Sequence, residues 1–316
     1  MKKNKIHKII LLSGLTLASI SIANKLTFMS ATSRNMLSND DDLYFKWRFG
    51  RVFYTKEGKG NPILLIHELN STGSDFEWKR LKKELAKNHT VYTIDLLGCG
   101  RSEKPNFTYT NFLYVQLITD FVKNIIGQRC DVVSSGNASA LVLMSCVYHS
   151  ELFNHIIMIN PEEISDSCKL PAACNKLLKN LIELPVIGTM LYNVIHSQLY
   201  ISMDLRTNKF YNTSKIKSID IQAMHEAAHL GNYSAKFLFS SMEGNYTHIP
   251  VSAALKKINH NIIILGGTAE PKIEQTIAEY KELNPAIESD LIPNAMHFPH
   301  IEEPAKTAEI LKTYIC

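Results

Sequence analysis

Residues 130–146 constrain the fold of this chain more than any other stretch. Cys130, Val132 and Val133 make a short apolar strand, Ser134, Ser135, Gly136, Asn137, Ala138, Ser139 and Ala140 are small or polar, and an apolar helical run opens at Leu141. A strand that passes through small residues straight into a helix is the architecture of a nucleophile elbow. One side chain is thrust out at a strained apex, and the first amides of the helix point at the reacting oxygen. Placed by its strand and helix, the apex falls on Gly136, with Ser134 and Ala138 at the flanking small positions. A rival register moves the apex to Ala138. Neither position carries a nucleophile. A third register places Ser139 at the apex and Leu141 where a small residue belongs.

The flanking segments repeat a strand–helix rhythm. Residues 62–66 and 156–159 are continuous apolar runs, as expected of strands buried on both faces of a parallel sheet. Residues 44–55 suit a β-hairpin turning at 56–60, residues 91–94 a further strand, and residues 75–88 and 110–126 amphipathic helices. This alternation predicts an α/β fold with a mostly parallel, doubly wound sheet. Between 161 and 250 the rhythm breaks into helical, apolar-rich sequence that reads as an inserted helical cap. It resumes with a strand at 262–265, a helix at 271–283, a weaker strand at 289–292 and a helix at 304–315. The expected organisation is an amino-terminal segment (1–30), a core in two parts (31–160 and 251–316) and the cap (161–250), with a polar linker around 38–42.

The amino-terminal segment has its own character. Lys2, Lys3, Lys5 and Lys8 precede an uncharged, mostly apolar run over 9–23, closed by Lys25. That pattern fits a signal anchor, or a signal peptide cut after the small residues Ser21 and Ala23. Fifteen helical residues span only about 22 Å against a hydrocarbon core of roughly 30 Å, so spanning requires Lys25 to snorkel and the helix to continue through Met29. Either way the domain is expected on the extracytoplasmic side, membrane-anchored through the helix or secreted after cleavage. These five lysines supply more than the whole net charge of +4. The remainder is close to neutral, which argues against a nucleic-acid face. The six cysteines have no metal-ligand spacing, so no metal and no cofactor is expected; Cys168 and Cys174 are the pair near enough in sequence to bridge.

Four further blocks lie around the elbow in order: residues 64–67 ending in His67; Asp95, Gly98, Gly100 and Ser102 within 95–105; Gly267 to Pro271; and Met296 to Pro304 with His297 and the Glu-x-Pro of Glu302 and Pro304. Together they resemble the α/β-hydrolase fold superfamily over about residues 45–316. The resemblance implies an eight-stranded sheet, a cap over the active site and a triad of nucleophile, acid and histidine in that chain order. His297 matches the family histidine, which shuttles a proton between nucleophile, water and leaving group. Glu270 matches the acid after the seventh strand, with Glu162 after the sixth as the reserve. The amides of Leu69 and Asn137 match the oxyanion hole.

Two departures oppose serine acyl transfer. Gly136 lacks a hydroxyl, and Glu68 stands where the family usually has glycine beside the oxyanion loop. There a carboxylate 4 Å from a developing oxyanion would repel it by about 4 kcal/mol at an effective dielectric of about 20. Three readings follow. The chain acts without the usual serine, with His297 and Glu270 activating water or a substrate proton; or it is a non-catalytic binding or scaffold protein using the same pocket; or it is a serine esterase after all, using Ser139, Ser135 or Ser134. In each case the apolar cap and apolar amino terminus favour a small lipophilic, ester-like ligand.

Overall fold

The computed structural model describes residues 2–38 and 42–315, with side chains from residue 13 onward. Most of the expected linker around 38–42, together with the side chains of the basic start, lies outside the described residues. The sheet has eight strands: β1 (Leu43–Trp47), β2 (Gly50–Glu57), β3 (Pro62–Ile66), β4 (Thr90–Ile94), β5 (Cys130–Ser135), β6 (Phe153–Ile159), β7 (Asn261–Gly267) and β8 (Glu288–Ile292). Their spatial order is β1-β2-β4-β3-β5-β6-β7-β8. The first two pairings are antiparallel and all others are parallel. This is the α/β-hydrolase arrangement expected from the sequence. The hairpin turns between Trp47 and Gly50, and residues 58–61 lead on to β3 instead.

Helices α1 (Lys2–Thr32), α2 (Lys79–Leu85), α3 (Asn111–Phe121) and α4 (Ala138–Tyr148) come before β6. Between β6 and β7 lie α5 (Ile164–Ser167), α6 (Ala173–Glu183), α7 (Ile187–Ile195), α8 (Gln198–Asp204), α9 (Ser218–His229), α10 (Lys236–Glu243) and α11 (Ser252–Leu255), with no strand among them. The chain ends with α12 (Ile273–Leu283), α13 (Pro299–Glu302) and α14 (Pro304–Tyr314). β3 is buried throughout, and its alternate residues enter two cores. Leu64 and Ile66 pack beneath α3 and α4, whereas Ile63 and Leu65 pack against Trp78, Leu81 and Leu311 on the other face. That two-sided burial is why the strand reads as an unbroken apolar run.

The block around Asp95 proves to be architectural. Asp95 is fully buried and accepts the amides of Asp75 and Arg101 at 2.6 and 2.7 Å. The Arg101 guanidinium reaches Asp75 and Asp95 and donates to the carbonyl of Leu37. This knot fixes the loops after β3 and β4 at the carboxyl edge of the sheet.

The amino-terminal segment joins the domain. Asn24 on α1 donates to the carbonyl of Val186 at 3.0 Å and accepts from Asn193 at 3.1 Å, and Phe28 packs edge-on against His229 and Tyr233. Residues 13–19 are exposed throughout. Among the described residues no helix is long and apolar enough to cross a membrane, so the expected transmembrane anchor finds no support. Cys168 and Cys174 are free and exposed.

Candidate active site

Five segments converge at the carboxyl edge of the sheet. β5 delivers Gly136, whose φ of +55° is the left-handed conformation that glycine adopts without steric cost. Its amide donates to the carbonyl of Ile159 at 2.9 Å, tying the turn to β6. Ala138 is the first residue of α4 and is buried. Ser139 is also inside α4, fully buried, its hydroxyl 3.0 Å from that of Ser134 beneath the turn. The alternative registers are therefore corrected: the residue at the apex is Gly136, Ala138 and Ser139 lie inside α4, and the Ser135 hydroxyl at the end of β5 is buried without a hydrogen-bond partner.

His297 is carried by the loop between β8 and α13. Asn160, in a left-handed conformation just past β6, donates to the carbonyls of Met296 and His297 at 2.8 and 2.9 Å and accepts the amide of Gly267 at 3.0 Å. One side chain thus staples together the loops after β6, β7 and β8. Nδ1 of His297 lies 3.0 Å from Oε1 of Glu270, in the turn after β7. Glu162 makes no hydrogen bond to His297. Its carboxyl lines the same cavity and is pushed up to about 8 by burial, with the negative charges of Asp166 and Glu68 adding to the effect.

On the other side of the imidazole the space that a serine would leave open is filled. Nε2 of His297 lies 3.0 Å from Oε1 of Glu68, which reaches over from the loop after β3. A β-carbon added to Gly136 would lie 2.8 Å from Cγ and 2.9 Å from Oε1 of Glu68. The glutamate side chain therefore occupies the nucleophile's place, and the missing side chain at 136 is what makes room for it. A cavity of about 260 Å³ lined by both Gly136 and His297 opens beside this pair.

Glu68 is clamped from both ends. His67 accepts the amide of Leu96 through Nε2 at 3.0 Å, so its proton sits on Nδ1 and is donated to the carbonyl of Glu68 at 2.7 Å. The Glu68 amide faces Glu77 at 3.3 Å. At the carboxylate, Asn70 Nδ2 donates to Oε2 at 2.9 Å, and Lys209 Nζ lies 3.4 Å from both oxygens. Lys209 ends a π-helical turn (Leu205–Lys209) that continues α8, and its carbonyl accepts the amide of His297 at 3.1 Å.

With a carboxylate on each nitrogen, the imidazole carries both protons. Burial works against that charge, but Glu68 outweighs it and, with the bond to Glu270, raises His297 to about 9. Burial likewise works to raise Glu68, yet Lys209 and His297 hold it well below the usual carboxylate range. At neutral pH the site is a closed set of two cations and two anions. The expected oxyanion hole is also altered. The amide of Leu69 donates to Asn137 Oδ1 at 2.9 Å, and Asn137 Nδ2 returns a bond to the Leu69 carbonyl at 3.0 Å.

The sequence placed Glu68 beside the oxyanion loop but not over Gly136, and it did not place Lys209 in the site at all. A signal for Glu68 was present, since a glycine where a side chain belongs and a side chain where a glycine belongs are complementary exchanges. Lys209 has no comparable mark. Two cavities adjoin Glu68. One of about 170 Å³ is lined by Ile195, Ile201, Leu205, Met224 and Phe298 and by polar groups that include His196, Asp204 and Lys209. The other, of about 260 Å³, is more polar and includes Asn137, Glu162, Glu270 and His297.

A model of the alpha/beta hydrolase family matches residues 63–310. In sequence the chain is similar to 2-hydroxy-6-oxo-6-(2'-aminophenyl)hexa-2,4-dienoic acid hydrolase of Metapseudomonas resinovorans, with 33% identity over 110 residues, 34% of this chain and 37% of that protein. The chain thus spans little more than a third of the length of that relative. Among solved structures it is similar to a serine hydrolase involved in carbazole degradation, with a TM-score of 0.71 and 18% identity over 86% of this chain and 97% of that chain. It is also similar to a membrane phospholipase A described as a bacterial virulence factor, with a TM-score of 0.69 and 17% identity over 99% of this chain and 97% of that one. At such identities the structural likeness is one of fold.

Proposed function

Since the chain belongs to the alpha/beta hydrolase family, we propose that it takes a lipophilic small molecule under its helical cap and acts on it without a serine nucleophile. One observation carries this reading: the Glu68 carboxylate lies in the nucleophile's place, 3.0 Å from His297 Nε2, above an apex glycine. The bonding of the Leu69 amide by Asn137 supports it, because carbonyl attack needs that donor free. The apolar part of the smaller cavity's lining, Ile195, Ile201, Leu205, Met224 and Phe298, supports a lipophilic ligand. The test is activity-based labelling of the full chain with a fluorophosphonate, which requires an activated serine. No labelling is expected. Labelling that maps to Ser134, Ser135 or Ser139 would restore serine chemistry and end this reading.

We further propose that α1 holds the protein at a membrane surface without spanning it. The attraction of its basic start to anionic lipid supports this, as do apolar side chains turned outward: Leu15 and Leu26 on α1, Leu177 and Leu181 on α6, Ile187 and Val194 on α7. The protein should float with vesicles rich in anionic lipid and be released by raised salt. Recovery in the soluble fraction at low salt would refute it.

A further inference from the structure

We propose that three imidazoles stacked beneath α1 form an acid-sensitive latch, which holds α1 on the cap near neutral pH and releases it as the imidazoles take up protons. The stack lies apart from the His297 site but reaches the wall of its cavity. His225 and His229, one turn apart on α9, have ring centres 4.4 Å apart. Phe28 of α1 packs edge-on against His229 at 5.5 Å. Tyr192 on α7 lies 6.1 Å from His229 and stacks on His196 at 4.1 Å. His196 in turn lines the cavity beside Glu68. A row of rings therefore runs from the amino-terminal helix to the ligand cavity.

The hydrogen bonds of this row suit neutral rings. Nδ1 of His229 lies 2.7 Å from the carbonyl of His225, and Nδ1 of His196 lies 2.9 Å from that of Tyr192, so each of these nitrogens carries its ring's proton. Nε2 of His229 is then the bare nitrogen, and it is buried without a hydrogen-bond partner. His225 Nδ1 receives Gln198 Nε2 at 3.5 Å. A proton added at Nε2 of His229 would place a cation among rings with no acceptor for it. The charged groups on the packed elements are engaged elsewhere or exposed. Lys25 on α1 is exposed; on α9, Glu226 accepts the amides of Met36 and Leu37 and Asp220 pairs with Arg80. Asp204 on α8 accepts from Asn208, Lys236 on α10 donates to the carbonyls of Glu183 and Leu184, and α7 has no charged residue. Among the described residues no carboxylate, Glu243 of α10 included, is bonded to an imidazole of the stack. Burial accordingly lowers His229, and it lowers His196 and His225 to about 4, with neighbouring imidazoles adding to the effect on these two.

α1 is the element that can leave. α7 and α9 are joined without it, because the Tyr192 hydroxyl donates to the carbonyl of Ala228 at 2.6 Å. The seat of α1 is small: Phe28 and Ala31 are buried and Asn24 bonds to Val186 and Asn193, whereas Leu15, Ile22, Leu26 and Met29 stay exposed. Lifting Phe28 opens His229 to water, where its imidazolium is solvated. The docked state thus binds fewer protons than the released one. Release is favoured as pH falls below the ordinary imidazole value of 6.5, and each proton taken up raises the opening constant about tenfold per pH unit.

The experiment is hydrogen–deuterium exchange of the full chain at about pH 6.5 and about pH 5, with rates corrected for the intrinsic effect of pH. Peptides over residues 20–34 should lose protection about thirtyfold, the effect of one proton over that interval, while β3 and β5 keep theirs. His229→Phe keeps a ring against Phe28 but takes no proton, so it should hold more of that protection at the lower pH. Unchanged protection of 20–34 in the unsubstituted protein would overturn the proposal, as would an equal loss in His229→Phe. If the variant does not fold, the carbon-bound proton shifts of the unsubstituted protein decide. His229 should titrate together with the loss of protection, and titration at the ordinary value with α1 still protected would end the reading. No lipid is present in this test, so its failure leaves the membrane reading to vesicle flotation.

Discussion

The two flanks of His297 are built on different plans. On the Nδ1 side, Glu270 sits in the turn directly after β7, so the backbone alone brings its carboxylate to 3.0 Å. On the Nε2 side, the apex of β5 contributes only a glycine, and the partner comes from the loop after β3 as the long side chain of Glu68. The first flank depends on where strands end. The second depends on a side chain crossing from one loop to the apex of another, with Lys209 from the cap completing its charge balance. The comparison teaches that position in a fold can be kept while the group occupying it is supplied from elsewhere.

The sharpest way to break this comparison is to remove the crossing carboxylate. Glu68→Gln leaves Lys209 and His297 facing a neutral amide inside a nearly closed site. The pKa of His297 should fall from about 9 to its ordinary value or below, because burial then acts with only Glu270 opposing it. The native state should lose on the order of 3 kcal/mol near pH 6, read from urea melts. Carbon-bound proton shifts of the imidazole report the pKa. A value still near 9 in the variant would mean that Glu270, not Glu68, holds the proton.

The same carboxylate predicts how stability depends on pH. His297 has a raised pKa in the folded protein, so its contribution is complete below about 6.5 and is lost as pH rises through about 9. Glu68 is lowered, so its contribution is present above about 4.5 and is lost as pH falls below that value. Thermal melts should therefore decline from about pH 6.5 toward pH 10, first as the raised Glu162 loses its contribution on rising through about 8 and then, by on the order of 3 kcal/mol, as the imidazole does. A flat profile from pH 6 to 10 would contradict the charged assignment.

Filling the apex tests whether the two positions truly share one space. Gly136→Ser adds a β-carbon at a φ of +55° and within 2.9 Å of two Glu68 atoms, so a loss of about 2 kcal/mol is expected. In a Glu68→Gly background the same Gly136→Ser change should cost less, since the strain remains but the clash does not. Independent, additive costs in a double-mutant cycle would show that the side chains do not compete.

Much of this was legible in the sequence, and the limits are physical. Strands such as β3 and β6 announce themselves because burial on both faces demands an unbroken apolar run. His297 and Glu270 are legible because each follows a strand closely. Glu68 was visible only as an obstacle to an oxyanion, since nothing in a linear pattern says that a side chain at 68 will lie over residue 136. Lys209 was invisible because its place depends on how a cap helix ends. The amino terminus is a different case. Its apolar run reads as a spanning segment, yet the later half of α1 carries Asn24 and Phe28 into contacts with α7 and α9.

The smallest expected effect belongs to the flank that looks most familiar. Glu270 accepts from His297 Nδ1 through Oε1, while its Oε2 is buried without a hydrogen-bond partner. In Glu270→Gln the amide oxygen can take the place of Oε1, so the geometry at Nδ1 survives. The amide nitrogen then occupies the site of an oxygen that had no partner, exchanging one unmet group for another. What is lost is one negative charge near an imidazolium that keeps its principal anion, Glu68. The pKa of His297 should drop by less than in Glu68→Gln, and stability by about 1 kcal/mol. In a serine triad the order would be reversed, because there the acid is the imidazolium's only anion. Titrating both variants by NMR ranks the two carboxylates directly. A larger fall for Glu270→Gln would mean that the familiar flank still governs the site and that Glu68 merely fills space above Gly136.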